Sequence, residues 1–159
     1  MSRATVRAGV VNYLRNGNLP FVGTYFTAEP KIRQGPQFYT GSTVTGAILF
    51  PFINGDRETR ISLGGEKRVQ YDVIIHVECR SLQPRAEDAM ADFDSLIEAI
   101  KVRVRADRTL AGTVFQAGEG NGVGAIDLVT AYRNPSTIGN GETLLWAAIS
   151  MQVVEIITA

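Results

Sequence analysis

The chain of 159 residues contains one cysteine, one histidine and one tryptophan, and these scarcities limit what it can do. A single cysteine cannot form a disulfide within the chain, so no oxidising compartment is required. No apolar run approaches the roughly 20 residues that a transmembrane helix needs. The N-terminal segment is interrupted by Arg7, Asn12 and Arg15 and lacks the continuous apolar centre of a secretion signal. These absences predict a cytosolic protein.

Net charge is also absent, because sixteen basic and sixteen acidic residues cancel. A neutral chain gives no reason to expect sequence-specific nucleic acid or a membrane as a partner. The charges are nevertheless unevenly distributed. Residues 1–68 hold nine basic and four acidic side chains, whereas residues 69–159 hold seven and twelve. Chance clustering is one explanation. The other is that unlike surfaces allow copies of the chain to pair head to tail.

The only histidine and the only cysteine lie three residues apart in RVQYDVIIHVECRS, residues 68–81, with Glu78 between them. Side chains alternate along a strand, which places Cys79 on the apolar face and His76 on the opposite face with Glu78. A zinc site needs about three or four ligands, and no second histidine exists to complete one. We therefore interpret the segment as one long antiparallel strand without a metal site.

Hydrophobic spacing predicts a short N-terminal helix of about three turns, which Asn-Gly at 16–17 and then Pro20 would end. Its apolar residues are Val6, Val10, Tyr13 and Leu14. A longer helix is predicted to begin near Pro84 and to carry one continuous apolar stripe. The stripe consists of Ala86, Ala89, Met90, Phe93, Leu96, Ile97, Ile100 and Val104. The acidic residues of its first half, Asp92 among them, are expected on the solvent face.

Alternation and turn signals predict the strands. After a strand at 45–53, Asn54-Gly55 is a strong hairpin signal because both residues tolerate positive φ. The chain is predicted to turn there, return along 57–63 and turn again at Gly64-Gly65 into the long strand. Beyond the long helix we predict a strand at 113–117, a hairpin loop at 118–124, a strand at 125–133, a loop at 134–142 and a final strand at 143–157.

Residues 18–45 contain three prolines and five aromatic side chains, and they show no sustained hydrophobic period. Compact domains rarely carry a loop of this length unless it has a function or a partner holds it. The aromatic residues argue against simple disorder. Two interpretations stay open. The segment is either an irregular region packed on its own domain, or an extended arm that orders on a neighbouring subunit.

Together these elements predict a single α+β domain over residues 1–159, with both helices packed on a mainly antiparallel sheet. Nucleophilic catalysis needs a nucleophile beside a base, and the only histidine is an outer-face strand residue. The Gly-rich loop at 118–124 precedes a predicted strand rather than a helix, so it does not match a dinucleotide-binding fingerprint. We therefore assign no catalytic, cofactor-binding or metal residues.

Five segments carry a resemblance to a known family: RATVRAGVVNYLRNG, KRVQYDVIIHVECRS, PRAEDAMADFDSLIEAIKVRV, IDLVTAYR and LLWAAISMQVVEI. In order, length and character they resemble the tail terminator proteins of long-tailed bacteriophages and the related minor tail and neck proteins. The resemblance implies a hexameric ring that caps the tail tube, stops its elongation and provides the head-joining surface. It also implies a place in the virion after synthesis in the host cytoplasm, the tail tube and head–tail connector proteins as partners, and no catalytic residues.

A ring needs unlike contacting surfaces, and the aromatic segment and two charged tips are the candidates for its assembly interface. Their residues are Phe21, Tyr25, Phe26, Phe38, Tyr39, Asp56, Arg57, Glu58, Glu66, Lys67 and Arg68. One alternative is another head–tail connector or a tail tube ring protein. A more remote one is a small cytosolic enzyme or ligand-binding domain, which would need a concave pocket with converging polar groups.

Overall fold

The computed structural model describes residues 3–40, 43–107, 109–112, 116–117, 128–137 and 141–157. The elements in chain order are α1 (Arg3–Arg15), β1 (Val22–Tyr25), α2 (Gly35–Phe38), β2 (Thr45–Arg60), β3 (Lys67–Ser81), α3 (Ala86–Ala106), β4 (Gln116–Ala117), β5 (Val129–Tyr132), β6 (Ser136–Thr137) and β7 (Thr143–Ile157). All the strands belong to one sheet, which is antiparallel except where β1 joins β2. The predicted α+β class is confirmed.

Three long strands form the centre of the sheet, in the order β2, β3, β7. The middle strand β3 pairs along its whole length with both neighbours, from Lys67 opposite Arg60 and Ile157 to Ser81 opposite Thr45 and Thr143. The short strands β4, β5 and β6 pair in turn with the other edge of β7. Residues 116–117, 129–132 and 136–137 therefore lie beside β7 along this edge.

The main core lies between one face of the sheet and the helices α1 and α3. The two predicted helices and their buried stripes are confirmed, except that Ala86 is exposed and Met90 only half-buried. A reciprocal contact joins the ends of the helices. The Tyr13 hydroxyl donates to the Arg103 carbonyl oxygen at 2.7 Å, and the Arg103 guanidinium donates to the Tyr13 carbonyl oxygen at 3.0 Å.

A polar contact fixes α3 to the end of the sheet. Thr45 and Ser81 are buried opposite each other, and the Thr45 hydroxyl donates to Asp92 Oδ2 at 2.6 Å. The Gln83 amide donates to the same oxygen at 3.1 Å. The expectation that Asp92 lies on the solvent face is therefore wrong. Its carboxylate accepts from groups on two strand ends, a contact that helical spacing alone cannot reveal.

The opposite face of the sheet is covered at one end by the segment between β1 and β2. Phe38 of α2 packs with Ile48 and Phe50 in a second, smaller apolar cluster, and Phe26 and Tyr39 lie against it. Arg33, from the same segment, stacks over the Phe50 ring with its guanidinium carbon 5.8 Å from the ring centroid. This face therefore combines apolar and basic side chains.

The predicted hairpin at Asn54-Gly55 is wrong, because β2 continues through it to Arg60. Ile53 pairs with Val73 and Gly55 with Asp72, so Asn54 is the extra residue of a β-bulge. Neither Asn54 nor Gly55 has positive φ. The chain turns once, between Ile61 and Glu66, where the amide of Ile61 donates to the carbonyl of Glu66 and Gly65 has φ of 92°. Two long strands replace the three that were predicted.

The predictions for the strands after α3 are confirmed in part. The final strand is confirmed at its predicted bounds of 143–157. Of the strand predicted at 125–133, β5 forms residues 129–132, and the short strand β6 lies within the predicted loop at 134–142. The predicted loop at 118–124 lies outside the described residues. In the part of the chain that the structure describes, no helix is both long enough and apolar enough to cross a bilayer.

Candidate assembly surface

The charged residues predicted to occupy two tips lie together at one end of the β2–β3 hairpin. We call this part, residues 56–70 beyond the bulge, the ribbon end. Glu58 pairs with Val69, Thr59 with Arg68 and Arg60 with Lys67. Every β2 side chain from 56 to 60 is exposed, and Glu66 lies in the connecting loop. Asp56, Arg57, Glu58, Glu66, Lys67 and Arg68 therefore belong to one surface rather than two.

Two apolar side chains lie at the tip of the ribbon end. Leu63 is 98% exposed, and Ile61 is 47% exposed. The sequence had assigned both to a returning strand, because Arg-Ile-Ser-Leu has the alternation of one. The Arg60 guanidinium donates to the Leu63 carbonyl oxygen at 3.3 Å and so fixes part of the loop. An exposed leucine on a fixed, charged loop is available for contact with another protein.

The bulge determines which side chains of the ribbon end share a face. Beyond it, Asp56 pairs with Tyr71, and Glu58 lies on the same face two residues later. This is the face that the helices cover nearer the core. The Tyr71 hydroxyl donates to Glu155 Oε2 at 3.4 Å. Burial first, and then the neighbouring carboxylates, raise the pKa of Tyr71. Arg57 projects from the opposite face.

The aromatic side chains of residues 18–45 contact their own chain. Phe38 is 0% exposed, so it cannot meet a neighbouring subunit, and the prediction of an interface role is wrong for that residue. Phe21 and Tyr25 pack against the main core, and Phe26 and Tyr39 against the smaller cluster. Of the two interpretations that the sequence left open, packing on its own domain describes this segment.

The structure does not bring the aromatic segment and the ribbon end together. The segment contacts the first half of β2, where Thr24 pairs with Ile48 and Tyr25 with Leu49. The ribbon end begins at residue 56. At a strand rise of about 3.3 Å per residue, these two parts of β2 lie roughly 20 Å apart at their nearest. The ribbon end is therefore the coherent candidate surface.

A separate cleft of about 380 Å³ opens on the sheet face opposite α1 and α3. Its lining includes Arg33, Glu78, Arg80, Arg133, Leu144 and Trp146. Glu78 and Arg80 are alternate residues of β3, and Trp146 and Leu144 are their partners on β7. Arg33 comes from the segment before α2, and Arg133 directly follows β5. Of these residues, the sequence placed Glu78 on the face of the strand opposite Cys79.

The three arginines of the cleft are held differently. Arg33 forms ion pairs with Glu78 and Glu29, each at 2.8 Å. Arg80 lies over the Phe38 ring, with its guanidinium carbon 4.3 Å from the centroid, and Arg133 lies over the Trp146 ring at 4.1 Å.

The chain's only histidine and only cysteine occupy opposite faces of β3, as predicted. Cys79 is buried in the main core, and burial raises the pKa of its thiol to about 12. His76 is half-buried between Phe50 and Trp146, at ring-centroid distances of 5.0 and 5.5 Å. Burial lowers the pKa of His76, and Arg133 lowers it further, while Glu29 raises it. Neither side chain is arranged as an activated nucleophile.

Within the described ranges, no three side chains of the metal-ligating types histidine, cysteine, aspartate and glutamate come together. Neither a scan against protein-family models nor a search of curated proteins found a match to this chain.

Proposed function

We propose that this chain is a structural virion protein, a tail terminator whose copies form a ring on the tail tube of a long-tailed bacteriophage. The observation that carries the proposal is the ribbon end, a two-sided charged surface with an exposed leucine at its tip. A ring requires a surface on each subunit that meets a different surface on the next. The ribbon end would supply one of these surfaces. The resemblance in element order to tail terminator proteins is the reason for proposing this kind of ring.

The surface has the composition that a subunit contact needs. Apolar anchors contribute most of the binding energy at interfaces, whereas rim charges mainly set orientation and association rate. Leu63 is the anchor in this scheme, and Arg57 and Lys67 are rim charges. Another head–tail connector or tube ring would use the same surface. Those alternatives differ in the partner that the ring contacts.

The first test is the mass of the purified protein by light scattering, combined with negative-stain images. We expect closed rings with about six times the mass of the single chain. Long tubes would indicate a tube subunit instead. A chain that stays monomeric at the highest attainable concentration, and does not bind tail tubes, would contradict the proposal.

The second test changes the tip of the ribbon end. Leu63→Asp places a charge on the proposed anchor, so we expect ring formation to be lost. The folded state should be unaffected, because surface substitutions usually change stability by no more than about 0.5 kcal/mol. The matched control is Val102→Asp, which changes an exposed side chain on α3 in the same way. Equal assembly by both variants would exclude the tip from the interface.

A further inference from the structure

We propose that the arginine cleft binds a small oxyanion, a carboxylate or a phosphate, between the guanidinium groups of Arg80 and Arg133. This inference goes beyond the proposed ring, and it does not depend on whether the chain assembles. It rests on three observations, which concern the charge of the lining, the pairing of its arginines and the way these arginines are held.

The charge of the lining favours an anion. Three guanidinium groups and one carboxylate line the cleft. The carboxylate of Glu78 is already engaged by Arg33 at 2.8 Å. Arg33 also contacts Glu29, which lies outside the lining. The positive charge of Arg80 and Arg133 is therefore not balanced within the cleft.

One buried hydrogen-bond donor of Arg80 has no partner among the described residues. Its Nε is buried and forms no hydrogen bond with any of them. No described carboxylate forms an ion pair with Arg80 or Arg133. Buried donors in proteins are nearly always paired, because an unpaired one loses its hydration without compensation. An oxyanion in the cleft would supply the acceptor that Arg80 lacks.

Both free arginines are held by aromatic rings. Arg80 lies over Phe38, which is fully buried, and Arg133 lies over Trp146. The N–H donors of a guanidinium lie at the edge of its own plane, so they stay available to an anion while its face contacts a ring. Such groups lose little conformational freedom when an anion binds, which favours affinity. Two fixed guanidinium groups suit the paired oxygens of a carboxylate or phosphate.

The size of the cleft selects a small ligand. A volume of about 380 Å³ lies at the lower end of the range for ligand pockets. Its apolar lining, from Leu144 and Trp146, suits a ligand with a short carbon skeleton as well as charge. Citrate and inorganic phosphate are therefore suitable probes, the first for a carboxylate ligand and the second for a phosphate.

The test is isothermal titration calorimetry with citrate and with phosphate, at constant ionic strength so that general screening does not change. We expect saturable binding of at least one probe to the wild-type protein. Arg133→Leu and Arg80→Leu should each weaken it about tenfold or more, because a charge-assisted hydrogen bond is lost. Arg80→Lys should also weaken it, since lysine keeps the charge but has no planar fork.

The matched control is Arg105→Leu, which removes an exposed arginine of α3 outside the cleft. It should bind the probe as the wild type does. If Arg80→Leu does not fold, Arg133→Leu still decides the question, because Arg133 is exposed and its loss should leave the fold intact. Absence of binding by both probes, or equal binding by Arg133→Leu and the control, would overturn the proposal.

A second readout locates the bound anion. Trp146 is the only tryptophan, and His76 is the only histidine, so the fluorescence of one and the imidazole NMR signal of the other are unambiguous. The two rings are 5.5 Å apart. An anion beside Arg133 should change the emission of Trp146 and raise the pKa of His76. Binding that leaves both signals unchanged would place the anion elsewhere and refute the assignment.

Discussion

At the scale of single residues, alternation along β3 explains why two chemically versatile side chains occupy such different surroundings. Cys79 faces the core, and its thiol is held protonated by burial. His76 faces the other side, where aromatic rings surround it and burial disfavours the imidazolium. The difference follows from their separation of three positions, since an odd separation along a strand puts two side chains on opposite faces. Sequence alone was sufficient to predict it.

Burial of His76 makes stability depend on pH. Its pKa in the folded state lies below the ordinary value of 6.5, so the unfolded chain binds the proton more tightly. The free energy of unfolding should therefore fall as the pH decreases from about 7 towards the folded-state pKa. His76→Phe keeps a ring beside Phe50 and removes the proton site. We expect this variant to lose stability less steeply over the same range, as measured by urea denaturation at each pH.

Carboxylates begin to titrate at lower pH, so the comparison is best made above pH 5.5, within the range set by ordinary side-chain pKa values. The wild-type protein in the same buffers is the reference. Parallel pH profiles for the two proteins would show that His76 has the same proton affinity in the folded and unfolded states, contrary to this account.

Residue contacts between distant segments were not predictable from the sequence. The ion pair of Arg33 with Glu78 and the hydrogen bond of Tyr39 to Glu142 join side chains that lie 45 and 103 positions apart. Local periodicity contains no information about such pairs, because it depends only on neighbours within a few residues. The arginine cleft was missed for the same reason. Its lining comes from several segments that only the folded sheet brings together.

At the scale of elements, close backbone contacts explain how the short helix α2 packs on the strands. A side-chain carbon added at Gly23 or Gly46 would overlap the carbonyl group of Phe38. Only glycine allows the end of α2 to approach β1 and β2 at this distance. This approach places Phe38 in its buried cluster, which in turn lies under the guanidinium of Arg80.

Gly46→Ala should therefore be strongly destabilising. The added methyl group meets backbone atoms, which cannot move away as a flexible side chain could, so we expect a loss of about 3 kcal/mol or more. Gly35→Ala is the control, because nothing lies within 4 Å of the added carbon there. It should change stability by no more than about 0.5 kcal/mol. Thermal and urea unfolding measure both, and a tolerated Gly46→Ala would show that α2 is free to shift.

Element boundaries were predictable where one face of an element is buried, and β7 is the best example. Its alternating apolar residues predicted both the strand and its bounds. The hairpin predicted at Asn54-Gly55 is wrong because β2 stays paired with β3 through these residues. The many hydrogen bonds between the two strands outweigh a local turn preference. Short edge strands such as β1 also escaped prediction, since four half-buried residues give too brief a pattern.

At the scale of the whole molecule, stability should be distributed unevenly along the sheet. β3 and β7 are paired on both sides over most of their length, and their inward side chains form the core. Beyond Leu49, no strand among the described residues pairs with the outer edge of β2. The fold class was predictable because two amphipathic helices and several alternating strands permit few layer arrangements.

Hydrogen exchange should reveal this distribution. We expect the slowest amides in the central parts of β3 and β7, and markedly faster exchange between residues 56 and 66, where the side chains are exposed and one edge is free. Ring formation, if it uses the ribbon end, should slow exchange in that stretch without changing the central strands. Uniform protection across the hairpin in the isolated chain would contradict the expected gradient.

The bulge in β2 also determines where the chain can lose a residue. Asn54 has no partner on β3, so its deletion would leave every pair beyond it unchanged and would simply straighten the strand. Deleting any single residue from 56 to 60 would instead shift the register of the residues between the deleted position and the bulge. A shift of one residue turns their side chains to the other face of the sheet. A one-codon deletion at Asn54 thus preserves the arrangement of charges beyond the bulge.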